Sequence, residues 1–227
     1  MTWVKICGTT NLDDAKAAVN AGADALGFIF APSPRQITEE AATDVIVALP
    51  ASVKKIGITL NQTPDAVAKL AQNVGLTGVQ LQGDEPGAQM WAYRSALAPR
   101  MIIKTLQARQ VLAGGEDFLY SYLRESEFFD AVLLDAGTPA NPGGTGVTFD
   151  WKTMVPVVSR IQQWIPVVIA GGLTPQNVSE AVRLFAPWGV DVVTGVESGP
   201  GRKDDAKMTA FVAAARGVAA IQGAGNP

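Results

Sequence analysis

Thr2-Trp3-Val4-Lys5-Ile6-Cys7 is followed by an Ala-rich helical stretch, Asp14 to Ala21, and then by a second apolar run, Ala25-Leu26-Gly27-Phe28-Ile29-Phe30. Both runs are short and apolar, as buried strands are, and the stretch between them is long enough for one helix. Gly22 falls just past that stretch, where a helix C-terminus favours a residue with positive φ. Two strands joined through a helix lie parallel, with a right-handed crossover.

The same unit recurs along the chain. Strand-like runs follow at Lys54–Leu60, Gly78–Gln82, Met101–Leu106, Ala131–Asp135, Pro166–Ala170 and Gly189–Thr194, and successive starts lie 23, 29, 24, 23, 30, 35 and 23 residues apart. Thr38-Glu39-Glu40, Thr63-Pro64-Asp65 and Thr174-Pro175-Gln176 each set a capping hydroxyl ahead of Pro or acid, a helix-start signal. Eight strand–helix units in 227 residues predict an α/β fold, a (β/α)8 TIM barrel closed by eight parallel strands, for which about 250 residues is usual. An open doubly wound sheet of this length normally has fewer strands. No linker or composition shift divides the chain, so residues 1–227 read as a single barrel domain.

Composition narrows the chemistry. The chain has 18 basic and 21 acidic side chains, one cysteine, no histidine and 48% hydrophobic residues. A lone cysteine closes no intrachain disulfide, which fits a reducing, cytoplasmic setting. Absence of histidine removes Ser-His-Asp triads, imidazole bases and imidazole metal ligands. A net charge of −3 without basic clusters argues against a nucleic-acid partner. No apolar run approaches the roughly 18 residues of a membrane span, and Met1 to Gly8 does not read as a signal peptide. Carboxylates, lysines, hydroxyls and one thiol are left to do any chemistry.

Barrel enzymes carry their sites at the C-terminal ends of the strands. Cys7 ends the first strand, where it reads either as a small buried hydrophobe or as a reactive rim thiol. Lys5 shares its face and reads either as a positive charge that serves the thiol or as a core lysine paired with Asp191 on the eighth strand, and the pairing is the expectation. Asp135 ends the sixth strand, as a rim acid or as a turn aspartate. Arg35 follows two prolines after the second strand. It reads either as a guanidinium held over the mouth to take a carboxylate or as a solvated side chain. Gly143-Gly144-Thr145-Gly146, Gly171-Gly172 and Thr194-Gly195 follow the last three strands. Such loops let backbone N–H groups approach an anion, and barrels often bind phosphate after strands seven and eight.

Several of these segments resemble the phosphoribosylanthranilate isomerase family of tryptophan biosynthesis. They are Val4-Lys5-Ile6-Cys7-Gly8, Gly22 to Phe28, Ser33-Pro34-Arg35, Val79-Gln80-Leu81-Gln82-Gly83 and Leu133-Leu134-Asp135. Gly143 to Gly146 with Phe149-Asp150-Trp151, Ala170-Gly171-Gly172-Leu173 and Gly195-Val196-Glu197 complete the match from the first strand to the eighth. The resemblance implies an Amadori rearrangement of N-(5-phosphoribosyl)anthranilate to the 1-deoxyribulose 5-phosphate, without cofactor or metal. By the same resemblance Asp135 is the general acid that opens the sugar ring, and Cys7 is the base that removes the C2 proton. Arg35 takes the anthranilate carboxylate, and Gly144, Thr145, Gly146, Gly171, Gly172, Thr194 and Gly195 hold the phosphate. Gln82 stands where the family usually has histidine, so it can orient substrate but not titrate. Thr194 stands where the family often has serine and keeps the hydroxyl.

Two other readings compete. A phosphosugar epimerase or a sugar isomerase of histidine synthesis would want metal-binding histidines or paired aspartates. A barrel that binds a phosphorylated ligand without chemistry would lack the rim thiol or acid. Nothing in the sequence decides monomer against dimer.

Overall fold

The computed structural model describes residues 1–135 and 151–223. Eight parallel strands close on themselves in chain order: β1 Trp3–Cys7, β2 Ala25–Ile29, β3 Lys54–Thr59, β4 Gly78–Leu81, β5 Met101–Gln107, β6 Ala131–Asp135, β7 Val167–Ile169 and β8 Gly189–Val192. Closure is made by β8 pairing with β1, with Lys5 opposite Asp191. The helices between them are α1 Leu12–Asn20, α2 Glu39–Val47, α3 Pro64–Val74, α4 Met90–Leu97, α5 Ala108–Leu123, α6 Trp151–Ile161 and α7 Val178–Phe185, and α8 Asp205–Gly223 ends the series. The expected barrel is therefore the observed one.

Alternation along the strands builds two cores. Ala25, Ile56, Ile103, Ala131, Leu133 and Val168 point into the barrel and pack on one another. Their neighbours Val4, Ile6, Leu26, Val79, Leu81, Ile102, Val132, Leu134 and Val190 point outward and pack with the helices. Side chains on a strand alternate faces, so an all-parallel sheet covered on both sides needs such continuous apolar runs. The inner column is not wholly apolar, because Lys5, Gln80, Thr105 and Asp191 are also buried. Lys5 Nζ donates to Asp191 Oδ1 at 2.7 Å, the pairing expected across the closing strands.

Helix starts follow the capping chemistry in two of three cases. Thr38 and Thr63 cap α2 and α3, their side chains accepting from the Ala41 and Ala66 amides. Thr174-Pro175-Gln176, by contrast, forms a turn, and α7 begins at Val178. The Thr174 hydroxyl accepts from the Gln176 amide, and the Asn177 Oδ1 accepts from the Thr174 amide while its Nδ2 donates to the Gly172 carbonyl, holding a compact turn ahead of the helix. Gly22 adopts φ 94° after α1, as a helix C-terminus asks.

Between β8 and α8 the chain makes a small antiparallel ribbon, β9 Glu197–Gly199 with β10 Arg202–Lys203. It lies at the strand-end rim, beside the end of β1.

Candidate active site

A cavity opens at the C-terminal ends of the strands. Cys7 (β1), Arg35 (after β2), Gln82 (after β4), Asp135 (β6), Gly171 and Gly172 (after β7) and Thr194 (after β8) all line it. These residues are remote in sequence, and the barrel brings them to one mouth because each follows or ends a strand. Ile29, Ala31, Pro32, Ile58 and Leu60 make an apolar wall on the β2–β3 side, next to Arg35. Gly171 and Gly172 lie across the mouth, since β7 is diametrically opposite β3 in the barrel order. Both take positive φ, 86° and 66°, a conformation that side-chain-bearing residues rarely adopt.

Gly195 does not line the cavity. It sits in a 3-10 turn, Thr194–Val196, where an added Cβ would stand 2.0 Å from the Leu173 carbonyl oxygen. Its glycine is needed for the close approach of the β7 and β8 loops. Gly144, Thr145 and Gly146 lie outside the described residues.

Cys7 is buried at the end of β1, with room made by its neighbour on β2. Burial pushes the thiol pKa up, and Asp191 adds to this, whereas the Lys5 and Lys203 ammonium groups pull it back. Burial by itself would lower the Lys5 pKa, yet Asp191 and the adjacent Cys7 thiol carry it above the ordinary lysine value. Lys5 therefore pairs with Asp191, as expected, and also lies against Cys7. Asp135 is buried at the end of β6 and pairs in register with Gln107.

Gln82 belongs to a polar cluster at the β4–β5 ends. Its Oε1 accepts from Gln80 Nε2 at 2.7 Å and from the Thr105 hydroxyl at 3.0 Å. Gln80 Nε2 also donates to Thr105 Oγ1 at 3.1 Å. Two donors on one amide oxygen hold the Gln82 side chain in place. Gln80 and Asp191, both cavity-lining, carry the inward alternation two residues below Gln82 and Val193, and that spacing is the signal by which they can be found.

Arg35 is neither solvated nor wholly available. Its Nε and Nη2 donate to Glu197 Oε1 and Oε2 at 2.8 and 2.7 Å, a bidentate pair. Lys203 Nζ donates to the same Oε1 at 3.1 Å, to the Cys7 carbonyl at 2.6 Å and to the Val193 carbonyl at 3.2 Å. Burial would raise the Glu197 pKa, but Arg35 and Lys203 together hold it below the ordinary carboxylate value. Burial dominates at Lys203 and lowers its pKa. Neither Glu197 nor Lys203 carries a role legible in the sequence. Glu197 appears there only as the end of Gly195-Val196-Glu197.

Fold and site together define a (β/α)8 barrel whose rim carries a thiol, a carboxyl group and a guanidinium around one ligand-sized mouth. A family profile described as N-(5'phosphoribosyl)anthranilate (PRA) isomerase matches residues 4–214, and the chain belongs to this family. The N-(5'-phosphoribosyl)anthranilate isomerase of Geobacter sulfurreducens is 42% identical over 218 residues, covering 96% of this chain and all of that one. That of Citrifermentans bemidjiense is 43% identical, covering 97% of this chain and all of its own length. The crystal structure of the Thermotoga maritima phosphoribosyl anthranilate isomerase superposes with a TM-score of 0.81 at 38% identity, covering 96% of this chain and 100% of that chain. A phosphoribosyl anthranilate isomerase solved in complex with reduced 1-(o-carboxyphenylamino)-1-deoxyribulose 5-phosphate gives 0.78 at 36% identity, over 96% of this chain and 100% of that chain.

Proposed function

We propose that this chain is an isomerase of tryptophan biosynthesis, converting N-(5-phosphoribosyl)anthranilate to 1-(2-carboxyphenylamino)-1-deoxyribulose 5-phosphate. The observation that carries the reading is the convergence of Cys7, Arg35, Asp135, Gly171, Gly172 and Thr194 on one cavity. Such a ligand has three distinct parts, and the mouth offers a matching environment for each. The apolar β2–β3 wall with Arg35 suits a carboxylated aromatic ring, and the glycine loops after β7 and β8 suit a phosphate.

The chemistry is acid–base. Asp135 protonates the furanose ring oxygen, the C1–O bond breaks, and the anthranilate nitrogen lone pair forms the C1=N bond of a Schiff base. Cys7 then takes the C2 proton, and the electron pair of that bond moves to form the enolamine, which tautomerises to the ketone. Acid and base act on different atoms of one substrate, and β6 and β1 supply them from different sides of the mouth. Gln82 orients substrate, and the Gly144–Gly146 backbone completes the phosphate site. A single cysteine, free in the structure, accords with a reducing cytoplasm.

Loss of anthranilate-type fluorescence on mixing the purified protein with phosphoribosylanthranilate tests the reading. Turnover is expected with chelator present and no metal added. No turnover, or turnover abolished by chelator, overturns it.

A further inference from the structure

Two cations, Arg35 and Lys203, share one carboxylate at the rim. The side chains of Arg35, Glu197 and Lys203 are 11%, 5% and 0% exposed, so the cluster is largely buried and, among the described residues, holds one positive charge more than its carboxylate balances. A buried charge of this kind needs a partner. Among the described residues the Arg35 guanidinium bonds Glu197 alone, through Nε and Nη2. The edge left over is the one formed by Nη1 and Nη2, and Arg35 lines the cavity.

From this arrangement we infer that Glu197 is a positioning residue: it occupies one edge of the Arg35 guanidinium so that the Nη1/Nη2 edge is presented to the carboxylate of the aromatic part of the substrate. The inference rests on the proposed function and names how that site selects a carboxylated ring. Glu197 is itself fixed from several directions. Lys203 ties its Oε1 to the carbonyls at the ends of β1 and β8, and Lys207 Nζ donates to the Glu197 carbonyl at 2.7 Å. The β9–β10 ribbon holds Glu197 and Lys203 in register with each other. Arginine side chains are long and lose rotamer freedom when held, so fixing Arg35 before the ligand arrives removes that cost from binding. A planar, bidentate fork is also selective, because a point charge in its place has no preferred edge.

Glu197→Gln tests this. The glutamine Oε1 can still accept from Lys203 and Arg35 Nε, but its NH2 opposes Arg35 Nη2 and releases the fork. The expected result is a KM raised about tenfold, the size of one weakened charge-assisted contact, with a much smaller change in kcat. Inhibition by anthranilate should weaken by a similar factor, while inhibition by ribose 5-phosphate, which has no aromatic carboxylate, should not. In an Arg35→Ala background the Glu197→Gln change should add little to KM. Equal weakening of both inhibitors, or a KM effect of the same size without Arg35, overturns the inference and leaves Glu197 a support of the fold. Should the glutamine variant not fold, Glu197→Asp keeps the charge beside Lys203 and shortens the reach to the fork. It should raise KM in the same direction, and an unchanged KM overturns the inference. Failure of the unmutated protein to turn over phosphoribosylanthranilate overturns the proposed function, and this inference with it.

Discussion

Cys7 on β1 and Gly27 on β2 are register partners, and a Cβ placed on Gly27 would stand 2.6 Å from the Cys7 Sγ. The strand beside the thiol is thus kept bare so that the sulfur fits inside the barrel. The same Cβ would come within 3.0 Å of the Cys7 Cβ and 3.1 Å of its Cα, so the backbone cannot evade the crowding by a rotamer change alone.

Gly27→Ala is therefore expected to cost about 1–3 kcal/mol of stability, the usual range for overpacking. It should also displace the thiol and lower kcat more than tenfold. Urea unfolding and steady-state kinetics check the two arms. Adding Cys7→Ala should return part of the stability but none of the activity. A Gly27→Ala enzyme with ordinary turnover would show that the thiol position is not critical.

Cys7→Ser and Asp135→Asn separate the acid from the base. Each should lower kcat by at least 100-fold, within the range for losing a positioned proton-transfer group, while anthranilate inhibition stays close to that of the unmutated protein. Near-normal turnover in either variant removes that residue from its role.

The pH profile follows from the thiol's surroundings. A base acts deprotonated, and burial lifts the Cys7 pKa above the ordinary thiol value of 9.0, with Asp191 adding to the rise and Lys5 and Lys203 opposing it. kcat/KM should therefore climb with pH on an ascending limb in the alkaline range. Lys5→Met removes a positive charge from beside the sulfur, so that limb should move to higher pH, and an unmoved or lowered limb would contradict the electrostatic assignment. Paired with Asp191→Asn, the variant leaves no unpartnered buried carboxylate, and the upward move should be smaller, because Asp191 itself raises the thiol pKa.

Acid stability should depend on Glu197. Its pKa is depressed in the folded state from the ordinary 4.5, so the ionised carboxylate favours folding above pH 4.5, and that contribution is lost as pH falls through the lower folded value. The gap in urea midpoint between the unmutated protein and Glu197→Gln should therefore be full near neutrality and shrink in acid. A gap that stays constant down to acid pH would exclude the linkage.

Much of this protein can be read without coordinates. The eight strands are legible because each is a short apolar, often β-branched run, and the Thr38 and Thr63 caps are legible because a hydroxyl at that position has one local job. Thr174 marks a turn ahead of α7 rather than its first residue: its hydroxyl accepts from the Gln176 amide, and Asn177 adds bonds to Thr174 and Gly172 before the helix begins. Asp135 and Cys7 are legible as rim candidates because each ends a strand. The β9–β10 ribbon is not, since strands of three and two residues have no periodicity to detect.

The sequence by itself determined the barrel, the order of its strands and that Cys7 and Asp135 end theirs, because strand periodicity is local and repeats along the chain. By containing no histidine it also removed imidazole from the chemistry and left carboxylates, lysines, hydroxyls and one thiol. Only the tertiary structure decided what each rim residue touches. Glu197 meets Arg35 across 162 positions of sequence, and Lys203 meets the Cys7 carbonyl across 196. Contacts at such range arise from barrel closure, which no local pattern encodes. That closure decided between the two readings of Arg35, holding it in a bidentate pair with Glu197.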